Sequence, residues 1–336
     1  MNKGTLRSVA GTVALLVLLA TLPWWASDQY QVHLAALIAV YWILVAGLNL
    51  VVGFTGQLSI GHVGLLAIGA YAFAILAGRY EWSPWIALAA SGGIGGVCGL
   101  LLGLPSLRLP GFYFAMATMA FALIVAELTL ALGSLTGGGV GLTVPGFPAP
   151  FDTPAGFYLL LLGIAILITW LTWNVAHFPW GRALVAIRDN PVAAESVGVP
   201  VFRMKLAVFV LSGTTAGLSG ALFASLQSYI TPDTFVFELG LFFFVCIIIG
   251  GRSSILGPLV GTAILTALPE LVAPLAKLGT LFYGLLLLAV VLLLPEGIGR
   301  LFEMLLARLR SERPASHVLQ PDTDRLAVAI RKGHQP

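Results

Sequence analysis

Long apolar runs separated by short polar breaks make up most of this chain. At about 20 residues per bilayer crossing, the runs predict spans near residues 33–53, 60–78, 84–104, 112–133 and 156–176. After one wide polar break, further spans are expected near 206–227, 237–250, 254–273 and 280–295. Residues Met1 to Trp25 carry Lys3 and Arg7 ahead of another apolar run. This reads as an uncleaved first span, because apolar segments continue at once and no small-residue cleavage site precedes Asp28. The total is about ten spans with both termini on one side. The segments after Phe54 and after Ser253 are short and glycine-broken, so either is also readable as re-entrant, and about eight to ten crossings is the range.

The wide polar break, from His177 to Lys205, is an island holding Arg182, Arg188, Asp189, Glu195, Arg203 and Lys205. It also contains helix punctuation. Asn190 suits an N-cap, Pro191 suits the first helical position, and Gly198 with Pro200 suit a stop. A two-turn helix is expected there, with an apolar side formed by Val192, Ala194 and Val197 and one acid, Glu195. Such a helix suits shallow docking against another surface.

Composition turns these runs into a fold class. The chain has 336 residues, 59% of them hydrophobic and 9% charged. Globular domains carry about 25% charged residues, so one soluble core cannot hide these side chains. The expectation is an all-α, polytopic integral membrane protein. Its transmembrane domain covers residues 1–300, and residues 301–336 form an amphipathic cytoplasmic segment followed by a disordered tail. The formal charge of +3 does not imply nucleic acid, because the cations lie in membrane loops and the tail. With the island inside the cell, only Arg79 and Lys277 of the 17 basic residues fall outside, as the positive-inside rule demands. The loop from Ser134 to Ala155 contains no Lys or Arg and belongs outside, as a surface for a soluble partner or a plain connector. Gly92, Gly95, Gly96, Gly99 and Gly103 in the fourth span, and Gly213 with Gly217 in the seventh, have the four-residue spacing that lets helices approach closely in lipid.

Candidate chemistry is sparse. An ionisable side chain at mid-membrane costs about 2.5–3.5 kcal/mol and is seldom idle; few are present, and Glu127 and Glu270, both toward the outer ends of their spans, are the candidates. His62 has glycine and serine neighbours and no carboxylate or second histidine at ligand spacing, so a structural hydrogen bond suits it better than a metal or a proton relay. Cys98 and Cys246 sit in apolar segments without a partner or metal spacing. No phosphate-binding glycine loop and no nucleophile elbow occur anywhere in the chain. Nucleotide energy would therefore have to come from a separate ATPase docked on the cytoplasmic face, with the island as the dock.

Seven ordered segments resemble one family. They are GLNLVVGFTGQLSIGHVGLLAIGAY (Gly47 to Tyr71), LRLPGFYFAMATMAF (Leu107 to Phe121), TGGGVG (Thr136 to Gly141), GRALVAIRDNPVAAESVG (Gly181 to Gly198), KLAVFVLSGTTAGLSGAL (Lys205 to Leu222), IGGRSSILGPLVGT (Ile249 to Thr262) and YGLLLLAVVLLLPEG (Tyr283 to Gly297). In order and spacing they are similar to the branched-chain amino-acid ABC transporter permeases of the LivM type. Ser253 departs from the pattern, standing where many relatives have glycine, and the tail past Arg313 extends beyond it.

The resemblance implies an ABC importer permease fold in the bacterial inner membrane. An extracytoplasmic binding protein would deliver Leu, Ile or Val to two related permeases, beneath which two ATPase subunits bind ATP and Mg. This chain itself would be no enzyme and would hold no cofactor and no metal. Arg182, Arg188, Asp189, Asn190, Ala193, Ala194, Glu195 and Gly198 would form the ATPase-coupling loop. Asn49, Gln57, Ser59, His62 and Glu127 are candidates for the translocation path. A urea or short-amide permease of the same family is the alternative. An ion-coupled carrier using Glu127 or Glu270 is a further one.

Overall fold

The computed structural model describes residues 19–25 and 28–272. Most of the first expected span, the span expected near 280–295 and the tail expected over 301–336 lie outside the described residues. Among the described residues, seven helical stretches are long and apolar enough to cross a membrane: Gln29–Phe54, His62–Arg79, Pro84–Ser106, Gly111–Ala131, Pro154–His177, Val201–Gln227 and Pro232–Gly250. They coincide in order with the spans expected from the second to the eighth. The next, Gly257–Val272, is a shorter helix of 16 residues.

Helix α1 (Gln29–Asn49) starts on the Asp28 side chain, which accepts from the Tyr30 amide. It ends in a π-helical turn, Leu50–Phe54. Every residue from Ala39 through Thr55 is buried. A helix apolar all round and buried all round is a central element, since no face of it needs to meet solvent or lipid. The chain then leaves helical structure over residues 55–61 and re-enters it in α2 (His62–Phe73), which also ends in a π-helical stretch, Ala74–Arg79. Helix α3 (Pro84–Ser106) and α4 (Gly111–Ala131) expose many apolar side chains, Leu101, Met116 and Ile124 among them. In a membrane such faces meet lipid or another spanning chain. Helix α5 (Pro154–His177) is capped by Thr153, whose hydroxyl accepts from the Gly156 amide at 3.1 Å.

The second central helix is α8 (Val201–Gln227), which follows two short helices described below. Its middle, SGTTAGLSG, is poor helix-forming sequence in water, where each glycine costs about 1 kcal/mol. Lipid reverses that preference, because a backbone without water must satisfy its own polar groups. The small side chains then let α8 pack at backbone distance. A Cβ on Gly95 of α3 would lie 2.5 Å from the Gly213 carbonyl oxygen and 2.8 Å from the Gly217 Cα, and one on Gly213 would lie 2.6 Å from the Gly95 carbonyl oxygen. The two glycine motifs singled out in the sequence thus pack on each other. On another face of α8, Ser219 donates to the Val40 carbonyl of α1 at 2.7 Å.

The segment between α4 and α5 is more ordered than a plain connector. It forms a helical turn (Gly133–Thr136), then a strand, β1 (Leu142–Thr143), antiparallel to β2 (Tyr229–Ile230), with Leu142 opposite Ile230. Glycines 137, 138 and 141 take positive φ angles of 76°, 56° and 82° at its turns. Phe147, 3% exposed, fills a pocket between Phe73, Trp85 and Phe157. The segment therefore closes this end of the bundle with an aromatic plug. Beyond β2, α9 (Phe237–Gly250) and α10 (Gly257–Val272) are joined by a turn at residues 251–256.

Candidate functional site

The polar island folds as two helices rather than one. Helix α6 (Pro179–Asp189), not anticipated from the sequence, buries Gly181, Leu184 and Ile187 along one side and leaves Arg182 exposed. Helix α7 (Pro191–Ser196) follows, with Asn190 as N-cap: its Oδ1 accepts from the amides of Val192 at 3.1 Å and Ala193 at 3.0 Å. Gly198 ends this helix at φ +88°, a conformation that suits glycine. Ala194 is the buried residue of α7, whereas Ala193 and Glu195 are exposed and Val192 and Val197 are 76% and 78% exposed. Helix α7 thus presents an apolar face with one carboxylate, Glu195, and together with α6 it forms a small platform at this end.

Arg188 ties this platform to the spans. Its Nη1 donates to the Gly53 carbonyl at 3.2 Å and to the Ser253 hydroxyl at 2.8 Å, and Ser253 Oγ donates to the same Gly53 carbonyl at 2.8 Å. The last carbonyls of a helix lack intrahelical partners, and a cation at that end also complements the helix dipole. Gly53 lies in the π-helical turn that ends α1, so Arg188 meets both needs. Its Nε bonds Asp189 at 3.2 Å, an exposed pair of the kind worth about 0–1 kcal/mol. Two glycines make room. A Cβ on Gly56, whose φ is +72°, would lie 2.8 Å from Arg188 Cγ, and one on Gly53 would lie 2.7 Å from the Ser253 amide nitrogen.

Asn49 completes the network. Its Nδ2 donates to the Ser254 carbonyl at 2.8 Å, and its Oδ1 accepts from the Ser253 amide at 3.3 Å. Ser253 itself sits at φ +64°, the left-handed region where glycine is at ease. Glycine would suit this position, and the serine here adds a hydroxyl that links Gly53 to Arg188. The α6–α7 platform, the end of α1 and the α9–α10 turn are therefore one hydrogen-bonded unit.

The other candidates are distributed differently. Ser59 and His62 are buried together: His62 Nδ1 lies 2.9 Å from Ser59 Oγ, and Nε2 lies 2.8 Å from Ser212 Oγ of α8. Phe209 packs edge-on against the imidazole. Gln57 is partly exposed, and its Oε1 accepts from Thr55 at 3.1 Å. Glu127 is exposed, one turn from the Ala131 end of α4 and at the opposite end of that helix from Gly111. Asn49 joins the Arg188 network, Ser59 and His62 form a separate buried group against α8, and Glu127 joins neither. Gly53, Ser212 and Ser253 are the participants that sequence reasoning passed over. The glycine-to-serine departure at Ser253 was the available signal. Among the described residues no cluster of three or more potential metal ligands occurs.

Comparison with known proteins agrees in breadth. The chain is 32% identical over 325 residues to the high-affinity branched-chain amino acid transport system permease protein LivM of Escherichia coli, covering 89% of this chain and 76% of the relative. It is 31% identical over the same extent to LivM of Salmonella typhimurium. More distantly, it is 26% identical over 66% of its length to the fructose import permease protein FrcC of Rhizobium meliloti, covering 62% of that protein. No solved structure matches the chain. Seven apolar helices, a platform projecting at one end and a family match across residues 30–293 place this multi-pass membrane protein in one group: it belongs to the branched-chain amino acid transport system / permease component family.

Proposed function

We propose that this chain is a membrane-spanning permease subunit of an ATP-driven ABC importer for branched-chain amino acids, residing in the bacterial inner membrane with both termini in the cytoplasm. It pairs with a second, related permease, receives substrate from an extracytoplasmic binding protein, and rests on two ATPase subunits that bind ATP and Mg. The observation carrying this reading is the Asn190-capped helix α7, exposed on its docking side and joined through Arg188 to the end of α1 and to the α9–α10 turn. A partner that moves α7 would move Gly53 and Ser253 with it, so the chain acts as a mechanical relay and leaves hydrolysis to the partner. Arg182, Asp189, Ala193 and Glu195 supply contacts to the ATPase, while Ala194 and Gly198 shape the platform. The greater identity and coverage of the amino-acid permeases over the fructose permease support Leu, Ile and Val as substrates.

Reconstitution of the full assembly in proteoliposomes, with labelled leucine and its binding protein outside and ATP inside, tests this. Uptake should require ATP and be competed by isoleucine and valine but not by fructose or urea. Leucine uptake by this chain alone, driven by a proton or sodium gradient, would overturn it.

A further inference from the structure

A basic cavity of about 480 Å³ opens beside the platform, and Arg108, Arg188 and Lys205 line it. Among the described residues no carboxylate contributes to its wall. Arg188 is engaged with Gly53, Ser253 and the Asp189 carboxylate, but among the described residues the side chains of Arg108 and Lys205 have neither an ion pair nor a hydrogen bond. Lys205 is half-buried near the start of α8, and Arg108 stands in the turn between α3 and α4. The N-terminus of α4 enters the same wall at Gly111 with no side-chain cap, and nothing lies within 4 Å of where a Gly111 Cβ would be. Two unpaired cations, Arg108 and Lys205, and the positive end of a helix dipole converging on one cavity specify an anion, and phosphate is the common anion at this depth.

A second feature names the source of that phosphate. An apolar groove of about 620 Å³ runs between α3 and α4, walled by Leu101 and Pro105 on one side and by Ala117, Phe121 and Ile124 on the other. Leu109 lines both the groove and the basic cavity, so the two adjoin. Alanines at 117 and 120 leave the space between the helices open. From Ala117 to Ile124 the groove follows about two helical turns, roughly 11 Å, along the axis of α4. A free phosphate or a partner's carboxylate would use only the polar half of this arrangement.

We propose that the cavity and groove together form a binding site for one anionic phospholipid, with its phosphate between Arg108 and Lys205 and an acyl chain between α3 and α4. The site adjoins the Arg188 network, so an occupied headgroup lies against the coupling element.

The test uses the full chain purified in mild detergent and three probes: phosphatidylglycerol, phosphatidylcholine and glycerol phosphate. Retention is counted by native mass spectrometry, and affinity is measured by titration with labelled lipid. Phosphatidylglycerol should bind on the order of tenfold tighter than phosphatidylcholine, and Arg108→Gln with Lys205→Gln should abolish that preference. Ala117→Phe, which fills the groove and keeps the cations, should weaken the lipid without lowering the affinity for glycerol phosphate. Circular dichroism and monodispersity establish that each variant is folded. Equal binding of the two lipids by the native chain overturns the proposal. So does glycerol phosphate competing as well as the intact lipid, which would assign the cavity to a free phosphate. Unchanged phosphatidylglycerol binding in the double variant, together with lost capture of an ATPase subunit, would assign the cations to a protein carboxylate and also overturn it.

Discussion

Arg188 and Ser253 meet at 2.8 Å over the carbonyl of Gly53, so residues far apart in the sequence share one acceptor at the end of the most buried helix. Ser253 holds this place at φ +64°, where a Cβ costs about 1–2 kcal/mol. Its hydroxyl offsets that cost by donating to Gly53 and accepting from Arg188.

Two substitutions separate these contributions. Ser253→Gly removes the strain, about 1–2 kcal/mol, and with it two hydrogen bonds together worth about 1–3 kcal/mol, so thermal stability in detergent should change little. Ser253→Ala keeps the strain and loses both bonds, so it should be destabilised by about 1–3 kcal/mol and unfold at a lower temperature. Equal stabilities of the native chain and the alanine variant would show that the hydroxyl contributes nothing, and equal stabilities of the alanine and glycine variants would show that the left-handed φ costs nothing.

The glycine contact between α3 and α8 makes a second prediction. Gly95→Val places atoms where the Gly213 carbonyl stands and should cost about 1–3 kcal/mol. Gly93, on the same helix, has nothing within 4 Å of its would-be Cβ, so Gly93→Ala should leave the melting temperature unchanged or slightly raised. Thermal unfolding of the two variants side by side distinguishes this contact from a general intolerance of α3.

For His62, burial between two hydroxyls argues for a structural role. His62→Ala would leave Ser59 and Ser212 without their partner, at about 1–3 kcal/mol, and open a cavity. Membrane yield and melting temperature should fall while the competition profile among leucine, isoleucine and valine stays the same. A changed profile at normal stability would instead put His62 on the substrate path.

Much of this architecture was legible in the chain, for reasons that differ by element. The spans were readable because lipid demands long apolar runs, and the α3–α8 contact because close approach in lipid demands small residues four apart. Helix α7 announced itself through Asn190, Pro191 and Gly198, whose backbone preferences are local. The link from Arg188 to Gly53 and Ser253 was not legible, since it joins three distant segments, and the departure at Ser253 marks a position without naming its partners. The segment after α4 was legible only as a partner surface or a plain connector: its glycines and prolines do not show that Phe147 plugs a pocket made by residues from α2, α3 and α5.

The cap itself is testable through partner binding. Asn190→Ala should cost about 1 kcal/mol of helix stability and weaken capture of the ATPase subunit by the full permease, while Asn190→Asp, which keeps an accepting oxygen, should retain most of it. Equal capture by the two variants would separate docking from the order of α7.

The central claim is that Arg188 transmits the partner's movement to the spans, and the ratio of leucine imported to ATP hydrolysed tests it most directly. In proteoliposomes holding the complete transporter, Arg188→Gln combined with Glu195→Lys should leave assembly and hydrolysis measurable while lowering imported leucine per ATP by tenfold or so, on the order of 1.4 kcal/mol of lost coupling. An unchanged ratio in that variant would contradict the account.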